Sequence, residues 1–234
     1  MLPLLYRALT RPLAPLTIIY LQDRRRRGKE DRIRFGERQG VASKVRPQGP
    51  LIWIHAASVG EATAMLGLIE RLLQSAPELE ILVTTGTVAS AFLLERRLPA
   101  RARHQFVPAD LPQWTARFLD HWRPDLAVWV ESELWPNLVL MTKRRNIPML
   151  LVNARLSARS HARWRAWPGL ARPIMTAFSL CLAQTEEQGA RFRELGAPCV
   201  SSVGDLKSDA KTLPTDADAV AELKAQIEIG RAHV

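Results

Sequence analysis

The chain has 234 residues, 47% of them apolar and 24% charged; it can bury a sizeable core in one large domain or two small ones, which excludes a disordered protein. Its two cysteines, Cys181 and Cys199, lack CxxC spacing and supply neither a disulfide framework nor a structural zinc site, as suits a reducing compartment. The net charge of +10 is concentrated in residues 1–50, which carry twelve Lys/Arg against four Asp/Glu, so the charge describes one segment rather than a basic protein surface.

That segment opens with "MLPLLYRALTRPLAPLTIIYL" and continues as "QDRRRRGKEDRIRFGERQG". The apolar piece is about as long as a membrane span, but Arg7, Arg11, Pro3, Pro12 and Pro15 interrupt it. Its positive charge follows the apolar region, the reverse of a secretory signal. Residues 1–30 are therefore expected to associate with a membrane surface. Apolar side chains would enter the leaflet, and Arg24 to Arg27 and Lys29 would meet anionic headgroups on the cytoplasmic side. A packed helix followed by a solvated basic loop is the other reading. No aromatic residues interleave the basic run to stack bases, and no nucleic-acid partner is expected.

From residue 51 short apolar runs recur: "LIWIHA" (51–56), "EILVTTG" (80–86), "HQFVP" (104–108), "LAVWVE" (126–131), "PMLLVN" (148–153), "LCLAQT" (180–185) and "CVSSVG" (199–204). Helix-like segments at 61–75, 88–98, 112–122, 134–145 and 186–195 separate them. Continuous apolar strands alternating with amphipathic helices predict an α/β fold, a doubly wound, Rossmann-like parallel sheet with helices on both faces. The basic, Trp-rich stretch "RLSARSHARWRAWPGLAR" (155–172) reads as a surface helix or lid.

In such sheets ligands gather beyond the carboxyl ends of the strands. After the first strand, Ser58 and Glu61 have the spacing of a capping box, and Gly60 suits a tight turn or a close backbone approach. Capping explains Glu61 without catalysis, yet an ionised carboxylate on that turn is also placed to act as a general base. After the fourth strand come Glu131 and Glu133. After the fifth come Arg155, Ser157 and Arg159, and Lys207 follows the last. Carboxylates and cations on one rim predict a site for a polar, anionic ligand. A solvated helix start accounts equally for the two arginines.

Taken in order, "WIHAASVGEATAMLGLIERL", "VTTGT", "ESELWPNL", "VNARLSARS", "AQTEEQGARFRELGA" and "VGDLKSD" closely resemble the amino-terminal half of bacterial 3-deoxy-D-manno-octulosonic acid (Kdo) transferases. "FGERQG" resembles the segment that follows the family's membrane-proximal helix. The resemblance implies the amino-terminal, acceptor-binding domain of a GT-B glycosyltransferase. Such an enzyme transfers Kdo from CMP-Kdo to a lipid A precursor at the cytoplasmic face of the inner membrane, in lipopolysaccharide core biosynthesis, without a metal or cofactor. It further implies Glu61 as catalytic base, Glu131 as a second functional carboxylate and Lys207 as a residue near the active site.

The resemblance covers residues from Leu4 to about Asp209, and the carboxy-terminal donor domain with its nucleotide-sugar motifs is absent from it. Residues 31–213 are accordingly expected to form the Rossmann-like domain and 214–227 to begin an interdomain region. "EIGRAHV" (228–234) reads as a non-native tail. A fragment with these limits is expected to have little or no activity alone. A non-catalytic lipid-acceptor-binding module remains open, as does another GT-B or nucleotide-binding Rossmann protein, although no GxGxxG follows the first strand.

Overall fold

The computed structural model describes residues 2–206. Two amino-terminal helices, α1 (Leu2–Thr10) and α2 (Ala14–Arg26), are joined by a 3-10 turn at Arg11–Leu13. From there strands and helices alternate: β1 (Leu51–His55), α3 (Val59–Ser75), β2 (Glu80–Thr85), α4 (Val88–Arg97), β3 (Ala102–Phe106), α5 (Pro112–Trp122) and β4 (Leu126–Val130). Then come α6 (Pro136–Arg144), β5 (Met149–Ala154), α7 (Ala158–Arg165), α8 (Pro168–Met175), β6 (Leu180–Ala183), α9 (Glu186–Glu194) and β7 (Val200–Ser202). All seven strands are parallel, in the order β3-β2-β1-β4-β5-β6-β7. The order reverses between β1 and β4, where ligands of open α/β sheets bind.

Alternation along the strands divides the core. Ile54, Ile81, Val83, Val128 and Val130 face Met65 and Ile69 of α3 and Leu94 of α4. Trp53, Leu82, Trp129 and Leu151 face the other way, onto α5, α6, α8 and α9. Trp53 and Trp129 meet edge to face at 4.7 Å, with Phe118 4.9 Å from Trp53, contacts that add about 0.5–1.5 kcal/mol each to the burial. The stretch at 155–172 is the surface piece expected from its composition, with only Leu156 and Ala171 buried, and the buried side of its second helix continues beyond it. Helix α7 buries nothing, but α8 inserts Ala171, Ile174 and Met175 into the core, an i, i+3, i+4 stripe that the surrounding arginines and tryptophans obscure.

The segment between α2 and β1 is a strap across β3, held by ions. Glu37, 1% exposed, accepts both Nε–H and Nη2–H of Arg34 at 3.0 Å, the Phe106 amide at 2.7 Å and the Ser43 hydroxyl. Arg34 in turn reaches His104 Nδ1 at 2.9 Å and Glu95 at 2.7 Å. Glu30, also buried, holds Arg24 at 2.6 Å and Arg38 at 3.3 Å. Gly40 ends the 3-10 turn at Phe35–Gln39 with φ +76°, and a Cβ there would stand 2.1 Å from the Trp114 carbonyl oxygen. Only glycine fits.

Burial lowers the pKa of His55 to about 4 and that of His104 to about 3, the latter aided by the Arg34 charge. Both imidazoles are neutral inside, so their stabilising contribution is complete above the ordinary histidine pKa and is lost as the pH falls through 6.5 toward those values. Asp110 has the opposite sign: burial raises it to about 6, which favours the folded state as the pH drops below 6. The two histidines outweigh it. Urea unfolding should show a net loss of about 2–3 kcal/mol between pH 7 and pH 5, and a flat profile would refute the assignment of neutral, buried imidazoles.

Candidate functional site at the switch point

The loops after β1 and β4 are neighbours because those strands pair, His55 opposite Trp129. Ser58 takes the N-cap of α3 with extended backbone and accepts the Glu61 amide at 3.3 Å. Glu61 returns its carboxylate: Oε1 accepts the Ser58 hydroxyl at 2.7 Å and Oε2 the Ala57 amide at 2.8 Å. The capping box foreseen from spacing is thus present, shifted by one amide, and it locks the Glu61 rotamer in the first turn of the helix, where the macrodipole favours an anion. Gly60 has ordinary helical φ, with open space where a Cβ would go. The tight-turn reason for that glycine therefore fails. The helix start it leaves bare is open to a ligand's approach.

Strand β4 stops at Val130, one residue before the predicted end. Glu131 follows with φ +58°, a left-handed conformation that costs a non-glycine residue about 1–2 kcal/mol and is retained at functional sites. Its amide still bonds the Val152 carbonyl at 3.0 Å. The turn carries Glu133 back toward β1, its carbonyl held by Trp129 Nε1 at 3.1 Å. The Glu133 carboxyl is raised in pKa by burial, then by the Glu61 charge and, more weakly, by Glu131, against a hydrogen bond from Trp135. Three carboxylates therefore share one electrostatic neighbourhood at the switch point. One of them is biased toward holding a proton.

Among the described residues, neither Arg155 nor Arg159 pairs with these carboxylates. Arg155 and Arg159 are exposed and make no side-chain hydrogen bond or ion pair among the described residues, and Ser157 caps α7 by accepting the Ser160 amide at 3.2 Å. Lys207 lies outside the described residues, as do 214–227 and 228–234. Among the described residues no cluster of three or more His, Cys, Asp or Glu is placed to hold a metal ion.

Two supporting residues, Gly86 and Asp110, escaped the sequence reading, and a third, Asn153, was expected at this edge without a role. Gly86, in "TTGT", donates to the Ala57 carbonyl at 3.4 Å and braces the loop that presents Glu61. Asn153, beside Glu131 on the neighbouring strand, has φ +52° and accepts the Leu206 amide at 3.0 Å through Oδ1. Asp110 caps α6 from a distance, accepting the amides of Asn137 at 3.1 Å and Leu138 at 2.8 Å and the Tyr6 hydroxyl at 3.1 Å. A carboxylate just past a strand end, in "PADLP", was the available signal.

Residues 33–210 match the family model described as 3-deoxy-D-manno-octulosonic-acid transferase (kdotransferase). A probable mitochondrial 3-deoxy-D-manno-octulosonic acid transferase of Arabidopsis thaliana is 41% identical over 87% of this chain and 46% of that protein. The 3-deoxy-D-manno-octulosonic acid transferases of Rickettsia bellii and Haemophilus influenzae are 35% and 38% identical over 96% and 77% of the chain, and 53% and 43% of their own lengths. A solved UDP-GlcNAc 2-epimerase from Neisseria meningitidis superposes with a TM-score of 0.50 over 79% of this chain and 55% of that one, at 15% identity, a likeness of fold alone. The fold is a Rossmann-like parallel sheet with helices on both faces, as the sequence implied. The chain belongs to the 3-deoxy-D-manno-octulosonic acid transferase family and spans about half the length of the curated relatives it matches.

Proposed function

We propose that this chain is the acceptor-binding part of an enzyme that transfers Kdo from CMP-Kdo to the phosphorylated glucosamine disaccharide of a lipid A precursor. The observation that carries the reading is the gathering of Glu61, Glu131 and Glu133 at the switch point on two braced loops. Glu61 takes the proton of the attacking acceptor hydroxyl as that oxygen bonds the anomeric carbon of Kdo and CMP departs. Its rigid mount beside the open helix start at Gly60 holds it for that attack. Arg155, Ser157, Arg159 and Lys207 serve the anionic groups of acceptor and donor. The donor site belongs chiefly to the part of the relatives' length that this chain does not match.

Glu131 offers a test of the site. Glu131→Gly removes the carboxylate and the left-handed strain together. In a complete enzyme it should cut Kdo transfer at least tenfold. Unchanged turnover would remove Glu131 from the mechanism.

The same reading places the chain on the cytoplasmic face of the inner membrane. Leu5, Leu9, Leu13, Leu16, Ile19 and Tyr20 form an uncovered ridge along α1, the 3-10 turn and α2, with Leu9, Leu16 and Ile19 each more than 60% exposed. Each such side chain stabilises a buried position by about 1.5–3 kcal/mol. No helix among the described residues is long and apolar enough to cross a membrane. Part of the basic run is already engaged: Arg24 pairs with Glu30 and Arg27 with Asp23 at 3.0 Å, which leaves Arg26 and Lys29 for headgroups. Leu9→Glu/Ile19→Glu should weaken pelleting with anionic vesicles at least tenfold without moving the melting midpoint. Equal pelleting would dismiss the ridge as a membrane contact.

A further inference from the structure

A cavity lies on the flank of the domain that the amino-terminal helix covers. It has a volume of about 290 Å3 and opens between α1, α6 and α8. Pro3, Leu4, Leu140, Met141 and Pro173 make its apolar walls, Arg7, Lys143 and Arg144 its charged ones, and Asn137 closes the end nearest the sheet edge. No carboxylate lines it. Arg7 is half-buried there, yet its guanidinium has no hydrogen-bond or ion-pair partner among the described residues, and neither has that of Arg144. The Lys143 ammonium meets only neutral oxygens, the carbonyl and hydroxyl of Thr176, at 2.9 and 3.3 Å. Arg7, half-buried, and Lys143 and Arg144, exposed at the mouth, give the cleft a positive potential with no carboxylate in its lining, which favours an anionic ligand.

The cleft also has a direction. Helix α6 starts at the carboxyl edge of the sheet and runs back along its face, so Arg144 stands roughly 10 Å along the helix axis from Asn137, away from Glu131 and Glu133. Leu4, one of its walls, is 60% exposed and continues into the uncovered ridge of α1. A ligand seated here therefore has its anionic group among Arg7, Lys143 and Arg144 and its apolar part along Pro3, Leu4 and Pro173, continuous with whatever covers the ridge.

We propose that this cleft binds one molecule of an anionic phospholipid, headgroup phosphate on the three cations and first methylenes on the apolar walls, as a site distinct from that of the sugar acceptor. Charge complementarity and the junction with the apolar ridge select a lipid over an acidic peptide, which would leave the proline and leucine walls unsatisfied. The inference extends the membrane reading, from adsorption of a ridge to a stoichiometric lipid site that seats α1 against α6 and α8.

Short-chain lipid separates the two, because it binds without a bilayer. The full chain is titrated with dihexanoyl-phosphatidylglycerol below its micelle concentration, with dihexanoyl-phosphatidylcholine and a glutamate-rich peptide in parallel, and followed by calorimetry. The expected result is saturable one-to-one binding of the phosphatidylglycerol alone. Arg7→Gln/Arg144→Gln should weaken it at least tenfold, and Arg26→Gln/Lys29→Gln less than twofold. Neither pair makes a side-chain bond that folding needs. Absence of saturable binding, equal binding of the choline lipid or of the peptide, or an undiminished Arg7→Gln/Arg144→Gln variant each overturns the site. Vesicle pelleting of the ridge variant Leu9→Glu/Ile19→Glu reports independently on the membrane contact, so either idea can fall without the other.

Discussion

Glu61→Gln in a complete enzyme should lower the rate of Kdo transfer by about 10²–10⁴-fold, the range over which a positioned general base contributes, while leaving the fold intact. The capping geometry makes this substitution informative. Glutamine keeps one oxygen to accept the Ala57 amide, and its new N–H group can donate to the Ser58 hydroxyl, which rotates from donor to acceptor. The helix cap is thus preserved at a cost of about 1 kcal/mol or less, and what disappears is the ability to take a proton. A rate near wild type would mean that Glu61 is a cap and nothing more. Glu61→Ala is the less useful variant, since it removes cap and base together.

The largest loss of stability is expected from Glu37→Ala. That carboxylate holds the two Arg34 nitrogens, the Phe106 amide and the Ser43 hydroxyl with almost no exposure to solvent. Its removal leaves the Arg34 guanidinium, mostly shielded from water, with only Glu95 and His104, and a buried amide of β3 without its acceptor. Breaking such a pair from one side costs about 3–5 kcal/mol, to be read in urea denaturation of this chain. A loss below about 1 kcal/mol would mean that the strap is a surface ornament. The cluster at Glu30 is the internal control, because Arg24 is partly solvated and its replacement should cost far less.

The parallel sheet was legible because strands buried on both faces are written as unbroken apolar runs, and each predicted run overlaps a strand to within two residues. The switch-point carboxylates were legible for a related reason: a charge directly after "LAVWV" has few places to go except the ligand edge. What composition could not convey was pairing at long range. Arg24 to Arg27 and Lys29 looked like a set of free headgroup ligands, but Arg24 answers to Glu30, and beyond that run Arg34 answers to a histidine seventy residues away; nothing local announces either. Backbone sign was equally hidden. Glu131 and Asn153 both turn left-handed at the ends of adjacent strands, although neither is the glycine that usually marks such a turn. The helix Pro168–Met175 was masked by composition, its three buried side chains outnumbered by neighbours that favour solvent.

The pairing of β1 with β4 has a consequence for synthesis. Ile52 must wait for Leu126, and Trp53 for Ala127, before the middle of the sheet can close. A nascent chain that has cleared the ribosome only as far as α5 therefore exposes one edge of β1 together with the face of Trp53 that Trp129 later covers. Contacts so distant along the chain form slowly, and open edges of this kind are what chaperones recognise and what aggregation consumes. Folding of this domain is a late event in its translation, set by the arrival of the fourth strand rather than by the first three.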